Sequence, residues 1–351
     1  MNPAQSLSKV SGLSGILIAM AAAIVLFAGI QAASPILGPL ILSVYLTLIF
    51  GTLLHWFEKK GLSARTALIL TLVIFFAIIA MFMVVIAGSF VQLLSDLPGY
   101  LEKLENSFEH ASPFLISIGI DPASLTIQNL IRSFSAEIHG LISDLFDIAS
   151  PLLLVFLTTL FLLFEAKGFS HKLQIIIGEH RPGDINRFIA LAQKNVDYLV
   201  IRTEVNLVSG IGTAVLLAII GVKYAIFWGF LVFLLGFIPN IGFWISVVPP
   251  MLLAWFDLGP LAALMVIAGT GFMDVLAEYI LFPRITAHGL DLSTAVVFIS
   301  LFFWGWILGG IGVLLAVPLT LFLQMFCELF DETRWIGFLL GPPPEGNGGK
   351  P

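Results

Sequence analysis

Two carboxylates stand where a chain this apolar should not carry them. Asp274 and Glu278 lie four residues apart in the run ALMVIAGTGFMDVLAEYILFPR, so on a helix they share one face. Charges inside lipid are costly unless they are paired, protonated or hydrated, and adjacent carboxylates raise one another's proton affinity. The chemistry this pattern offers is proton or cation exchange. Arg284, six residues beyond Glu278 and about 9 Å along a helix, is the expected counter-charge. A pair at the membrane interface that reaches water is the alternative.

The stretch LGFIPNIGFWISVVPP (235–250) offers another kind of chemistry. It is apolar enough for a bilayer, yet Pro239, Asn240, Gly242, Pro249 and Pro250 would break a helix there. Hydrocarbon does not tolerate unpaired backbone, so a broken segment at membrane depth is covered by protein or lines a polar cavity. Solute carriers keep such breaks at their binding sites, where freed amides and carbonyls become ligands. A kinked packing helix is the competing reading. Gly305, Gly309, Gly310 and Gly312, followed by Pro318, form a second interruption, and Gly305 with Gly309 is a GxxxG that also suits close helix packing. Asn206, near the start of another apolar run, could bond across helices. The expected passage is lined by Asn206, Pro239, Asn240, Gly242, Pro250, Gly309 and Gly312.

Enzyme chemistry finds no foothold. HExxH, GxSxG and GxxxxGK[ST] are absent, and His55 has no partner at metal-ligand spacing. No metal or other cofactor is expected, and any transport is driven by gradients or is passive.

The composition places these residues in a membrane. Of 351 residues, 59% are hydrophobic and 11% charged, against about 25% charged in soluble domains, and the mean hydropathy is +1.05. The net charge of −6 sits in residues 91–147, which hold eight acids against Lys103 and Arg132. No basic tract suits nucleic acid. Cys327 is the only cysteine, so a disulfide within the chain is impossible.

Read by hydropathy, the chain is an all-α polytopic membrane protein of about eight elements. Residues 1–90 carry spans at 15–33, 36–54 and 66–90. Residues 91–147 form an amphipathic helical insert outside the bilayer, punctuated by Pro113 and Asp121-Pro122. Residues 148–202 hold a fourth span (149–164) and an amphipathic helix, and 203–330 form a core with elements at 203–220, 224–256, 261–282 and 292–330. The sixth and eighth are over-long, and sequence leaves open whether they cross or re-enter. Residues 331–351 are a tail. Lys59, Lys60 and Arg65 in one loop, and Lys167, Lys172, Arg181, Arg187, Lys194 and Arg202 in another, put those loops and both termini in the cytoplasm.

The runs FIPNIGFWISVVPP and FPRITAHGLDLSTAVVFISLFFWGWILGGIGVLLAVPLT resemble the AI-2E family of membrane transporters. So do PILGPLILSVYLTLIFGTLLHWFEKKGLSARTA and VQLLSDLPGYLEKL. The resemblance covers most of the chain, and the wording of its C-terminal block is similar to the autoinducer-2 exporter subgroup. It implies a bacterial inner-membrane protein that assembles with copies of itself, as a pentamer, and exports a small hydrophilic molecule. Pro239, Asn240, Gly242, Pro250, Pro283, Arg284, Gly312 and Pro318 match its signature. Asp274 and Glu278 depart from that pattern and keep a sodium or proton antiporter open as the alternative. A membrane scaffold that binds partners through the insert is a third.

Overall fold

The structure is a computed structural model, described here for residues 12–117, 151–165, 168, 182–239, 241–285 and 292–342. Every regular element among the described residues is helical. Among the described residues, six helical stretches are long and apolar enough to cross a membrane: Ser34–Lys59, Ala64–Ser89, Gln193–Ile220, Ile241–Leu258, Pro260–Ile285 and Thr294–Leu314. The chain is an all-α, multi-pass membrane protein.

Helices α1 (Gly12–Ala32) and α2 (Ser34–Lys59), which has a proline in its first turn, are followed by α3 (Ala64–Ser117). A short apolar helix, α4 (Pro151–Glu165), packs on them: Phe50, Phe75 and Leu163 form a common core, with Phe75 stacked on Phe156 at 5.6 Å. The third span ends near residue 90, as expected, but its helix does not. The helix runs through Pro98 and Pro113 to Ser117, so the front of the insert is a rigid extension of the span. The rest of the insert, 118–147, lies outside the described residues.

The core begins with α5 (Pro182–Ile220). The boundary expected at residue 202 falls inside it, because polar side chains there face protein instead of water. The helix ends in a Schellman turn, with Gly221 at φ 91° and Val222 N–H bonded to Leu217 O at 2.9 Å. Tyr224, left-handed at φ 60°, then starts α6 (Ala225–Leu235) back along α5. The two backbones touch: a Cβ on Gly210 would lie 2.7 Å from Gly229 O. Small residues permit this approach between membrane helices.

At 11 residues, about 16 Å long, α6 is too short to cross. The chain turns over Gly236–Pro239 and returns as α7 (Ile241–Leu258). Lys223 before α6 and Asp257 at the end of α7 approach to 3.8 Å, so the sixth element is a hairpin whose two feet share one end of the molecule. One expected break is absent. The helix α7 passes straight through Pro249 and Pro250, because membrane helices tolerate proline where neighbouring groups re-satisfy the freed carbonyls.

Helix α8 (Pro260–Val275) runs antiparallel to α5 and continues through a π-helical turn (Leu276–Leu281) into Phe282–Ile285. The last long element, α9 (Thr294–Leu314), is capped by Ser293 Oγ, which accepts from Val296 N–H, and kinks at Gly309 (φ 64°, ψ −146°). Helix α10 (Ala316–Leu329) doubles back on it, tied by Trp304 Nε1–H to Thr320 Oγ1 at 3.0 Å, and α11 (Arg334–Leu340) closes the fold.

The α9–α10 hairpin opens beside Tyr198, where Leu292, Val297 and Val317 pack. The α6–α7 hairpin opens beyond Ile220, about 33 Å further along α5 by the helical rise. The hairpins therefore enter from opposite ends. They meet in the middle through Ile238, Leu301 and Ala316.

Candidate functional site

The turn that joins α6 to α7 carries the polar chemistry of the core. Among its described residues the backbone N–H groups are paired. Gly236 N–H bonds to Val232 O (2.9 Å), Ile238 N–H to Leu235 O (2.8 Å), Ile241 N–H to Pro239 O (2.7 Å) and Gly242 N–H to Ile238 O (3.1 Å). A Cβ on Gly242 would overlap Leu235 O, so only glycine lets α7 start this close to the end of α6. Gly236 O receives a hydrogen bond from Arg202 Nη2. A guanidinium at the carboxyl end of α6 also meets the negative pole of that helix.

Arg202 holds a second partner. Its Nη1 lies 2.7 Å from Glu278 Oε1, with the arginine side chain 6% exposed and the glutamate 33%, and the guanidinium stands over the Phe282 ring at 5.7 Å. One side chain on α5 thus ties the hairpin tip to α8. The π-helical turn that starts at Leu276 shifts the register of α8 where Glu278 meets Arg202, and such turns recur at functional sites.

Beside this pair lies a narrow polar cavity, with space on the order of one or two water molecules. Its walls come from α5 (Asn206, Ser209, Thr213), the hairpin (Val232, Gly236, Phe243, Ser246, Val247) and α8 (Thr270, Asp274, Ala277, Glu278). Asn206 is 3% exposed, and its Nδ2 has no partner among the described residues. Ser246 Oγ–H donates to Phe243 O at 2.8 Å, and Thr270 Oγ1–H donates to Val266 O at 2.6 Å.

Of the residues expected from sequence, Asn206, Asp274 and Glu278 come together here. Pro239 is half-buried in the hairpin turn, Gly242 and Pro250 are buried in α7 packing, and Asn240 lies outside the described residues. Gly309 is exposed, Gly312 is buried, and neither is among the cavity walls; the hairpins touch through aliphatic side chains instead. Arg284, the expected partner of Glu278, is exposed at the end of its helix, and Arg202 fills that role. Arg202 was read as a loop cation. The signal that could have found it is its spacing, four residues before Asn206, which sets both on one helix face. Ser209 and Thr213 continue that polar line.

Among the described residues no group of three or more His, Cys, Asp or Glu side chains is placed to hold a metal. At the hairpin feet, a second polar cluster joins α3 to the hairpin. Tyr224 Oη–H donates to Asp96 Oδ2 at 2.7 Å and Lys223 Nζ to the same oxygen at 3.0 Å. Tyr100 Oη–H and Lys103 Nζ each reach Asp257 at 2.6 Å. The Tyr224 hydroxyl and then the Lys223 ammonium hold the Asp96 carboxyl below its ordinary range, while burial, then the Asp96 bond, pushes the Tyr224 phenol up to about 12.

Residues 14–331 match the profile of the AI-2E family transporter. The chain is 31% identical over 334 residues to the putative transport protein YhhT of Escherichia coli strain K12, covering 93% of this chain and 94% of that protein. It is 30% identical over 331 residues to the AI-2 transport protein TqsA of the same strain, covering 93% and 95%. A putative transport protein of Haemophilus influenzae is 31% identical over 348 residues, covering 93% and 95%.

Proposed function

This chain belongs to the AI-2E transporter family, and we propose that it exports a small hydrophilic molecule, autoinducer-2, across the bacterial inner membrane past the tip of the α6–α7 hairpin. One observation carries the reading: a re-entrant hairpin ends at a polar cavity in the protein interior, beside Arg202 and with the unpartnered Asn206 amide on its wall. Such discontinuous elements at mid-depth are where carriers bind solute. The choice of autoinducer-2 leans on the name of the TqsA relative and on the wording of the C-terminal block.

The cation-rich loop between α2 and α3 puts that end of the molecule in the cytoplasm. With α1 to α5 and α8 as six crossing elements and the two hairpins re-entrant, the chain returns to the side where it started, which supports cytoplasmic termini and an α6–α7 hairpin that enters from outside. Assembly into a homo-oligomer of five copies follows from the family resemblance.

A second reading, exchange of Na+ or H+, is favoured by Asp274 on the cavity wall one turn from Glu278. Reconstituted vesicles decide between the two. Autoinducer-2 loaded into vesicles should leave at least tenfold faster with the protein than without it. No excess release, with a pH change on adding Na+, would replace solute export by ion exchange.

A further inference from the structure

We infer that Asn206 and Asp274 together read a hydroxyl group on the transported solute, and so select a neutral hydroxylated molecule over a bare cation. The inference rests on the transport reading above and deepens it.

Asn206 is 3% exposed and lines the cavity, and its Nδ2 has no acceptor among the described residues. A buried donor without a partner is costly, and native structures keep few of them. A ligand that brings an acceptor would remove that cost.

The opposite wall asks for the reverse. Ser246 and Thr270 give their hydroxyl hydrogens to backbone carbonyls of their own helices, so each turns only lone pairs to the cavity. Asp274 adds a carboxylate, which when ionised only accepts. The cavity therefore sets the Asn206 amide among the acceptors of Ser246, Thr270 and Asp274.

Three small ligands can be weighed against that pattern. A sodium ion suits Ser246, Thr270 and Asp274 but leaves the Asn206 amide hydrogens without an acceptor. An anion suits Asn206 but meets the Asp274 carboxylate, and Arg202, whose Nη atoms are held by Glu278 and Gly236 O, is not among the cavity walls. A hydroxyl accepts one hydrogen bond and donates another, so it satisfies Asn206 and Asp274 at once. The narrow space matches one hydroxyl-bearing carbon entering at a time.

The test uses erythritol as a neutral hydroxylated probe and Na+ as the competing ion, with the full-length protein in lipid nanodiscs. Saturation-transfer NMR should show erythritol binding to the wild type, weakened about tenfold in Asn206→Asp, which keeps the shape but replaces the donor by an acceptor. Asp274→Asn should weaken it as well, from the other wall. The sodium resonance should not broaden with the wild type. Erythritol binding that is absent, or equal in wild type and both variants, overturns the inference, as does sodium broadening that Asp274→Asn abolishes. Vesicle release of autoinducer-2 is measured on the same preparations. Normal release without hydroxyl selectivity rejects this inference alone, whereas hydroxyl binding without release rejects the transport reading alone.

Discussion

Arg202 on α5 and Glu278 on α8 meet at 2.7 Å, and the same guanidinium holds Gly236 O at the tip of the α6–α7 hairpin. Three elements are thus joined at one side chain in the middle of an apolar core. Removing one member of a buried pair leaves the other charge uncompensated. Arg202→Leu should therefore destabilise the protein by on the order of 2 kcal/mol, less than a fully buried pair because Glu278 is one-third exposed. The double variant Arg202→Leu/Glu278→Leu should recover part of that loss. Thermal unfolding of the four proteins in detergent gives the coupling, and additive losses would mean that the contact does no stabilising.

The kink in α9 makes a separate prediction. Gly309 sits at φ 64°, ψ −146°, a region nearly closed to other residues, yet a Cβ there would meet nothing within 4 Å. Gly309→Ala should cost about 1–3 kcal/mol through backbone strain alone. An unchanged melting temperature would show that the kink relaxes without glycine.

By contrast, Pro249→Ala should leave solute release unchanged. Helix α7 is continuous across that position, and Pro249 is not among the cavity walls. A loss of release greater than threefold would show that the proline matters to the working cycle.

What sequence revealed, and what it hid, follows from the range of the interactions. The break at Pro239 was legible, because proline and glycine act on their own backbone. That α6 and α7 fold back on one another was not. It depends on Tyr224 in a left-handed turn and on Lys223 meeting Asp257, neither of which has a local signal. Pro249-Pro250 misled for the opposite reason, since local helix-breaking is outweighed by the packing of α7. Asp274 and Glu278 stood out as charges in an apolar run. Their true neighbour, Arg202, was hidden among loop cations, because helical periodicity alone does not say which helix lies opposite.

The feet of the hairpin give a pH prediction. The Asp96 carboxyl is held below its ordinary range by Tyr224 and Lys223. A group whose folded value is depressed contributes above its unfolded value, about 4, and the contribution is lost as pH falls through the folded value. The contact between α3 and the hairpin should hold from neutral pH down to about 4 and loosen below it. Below about pH 4 the protection of the Lys223 and Tyr224 amides, taken relative to the unfolded exchange rate at the same pH, should fall, and in Asp96→Asn it should be low already at pH 7. Protection independent of pH in the wild type would remove Asp96 from this role.

The central claim is that solute passes beside the hairpin tip, and Ser246 is the residue to probe. In a Cys327→Ala background, Ser246→Cys places a single thiol on the cavity wall with little change of shape. A small polar thiol reagent should label it in vesicles, and saturating autoinducer-2 should slow the labelling at least fivefold. A thiol that never reacts, or one whose rate is the same with and without autoinducer-2, would contradict a passage at this site.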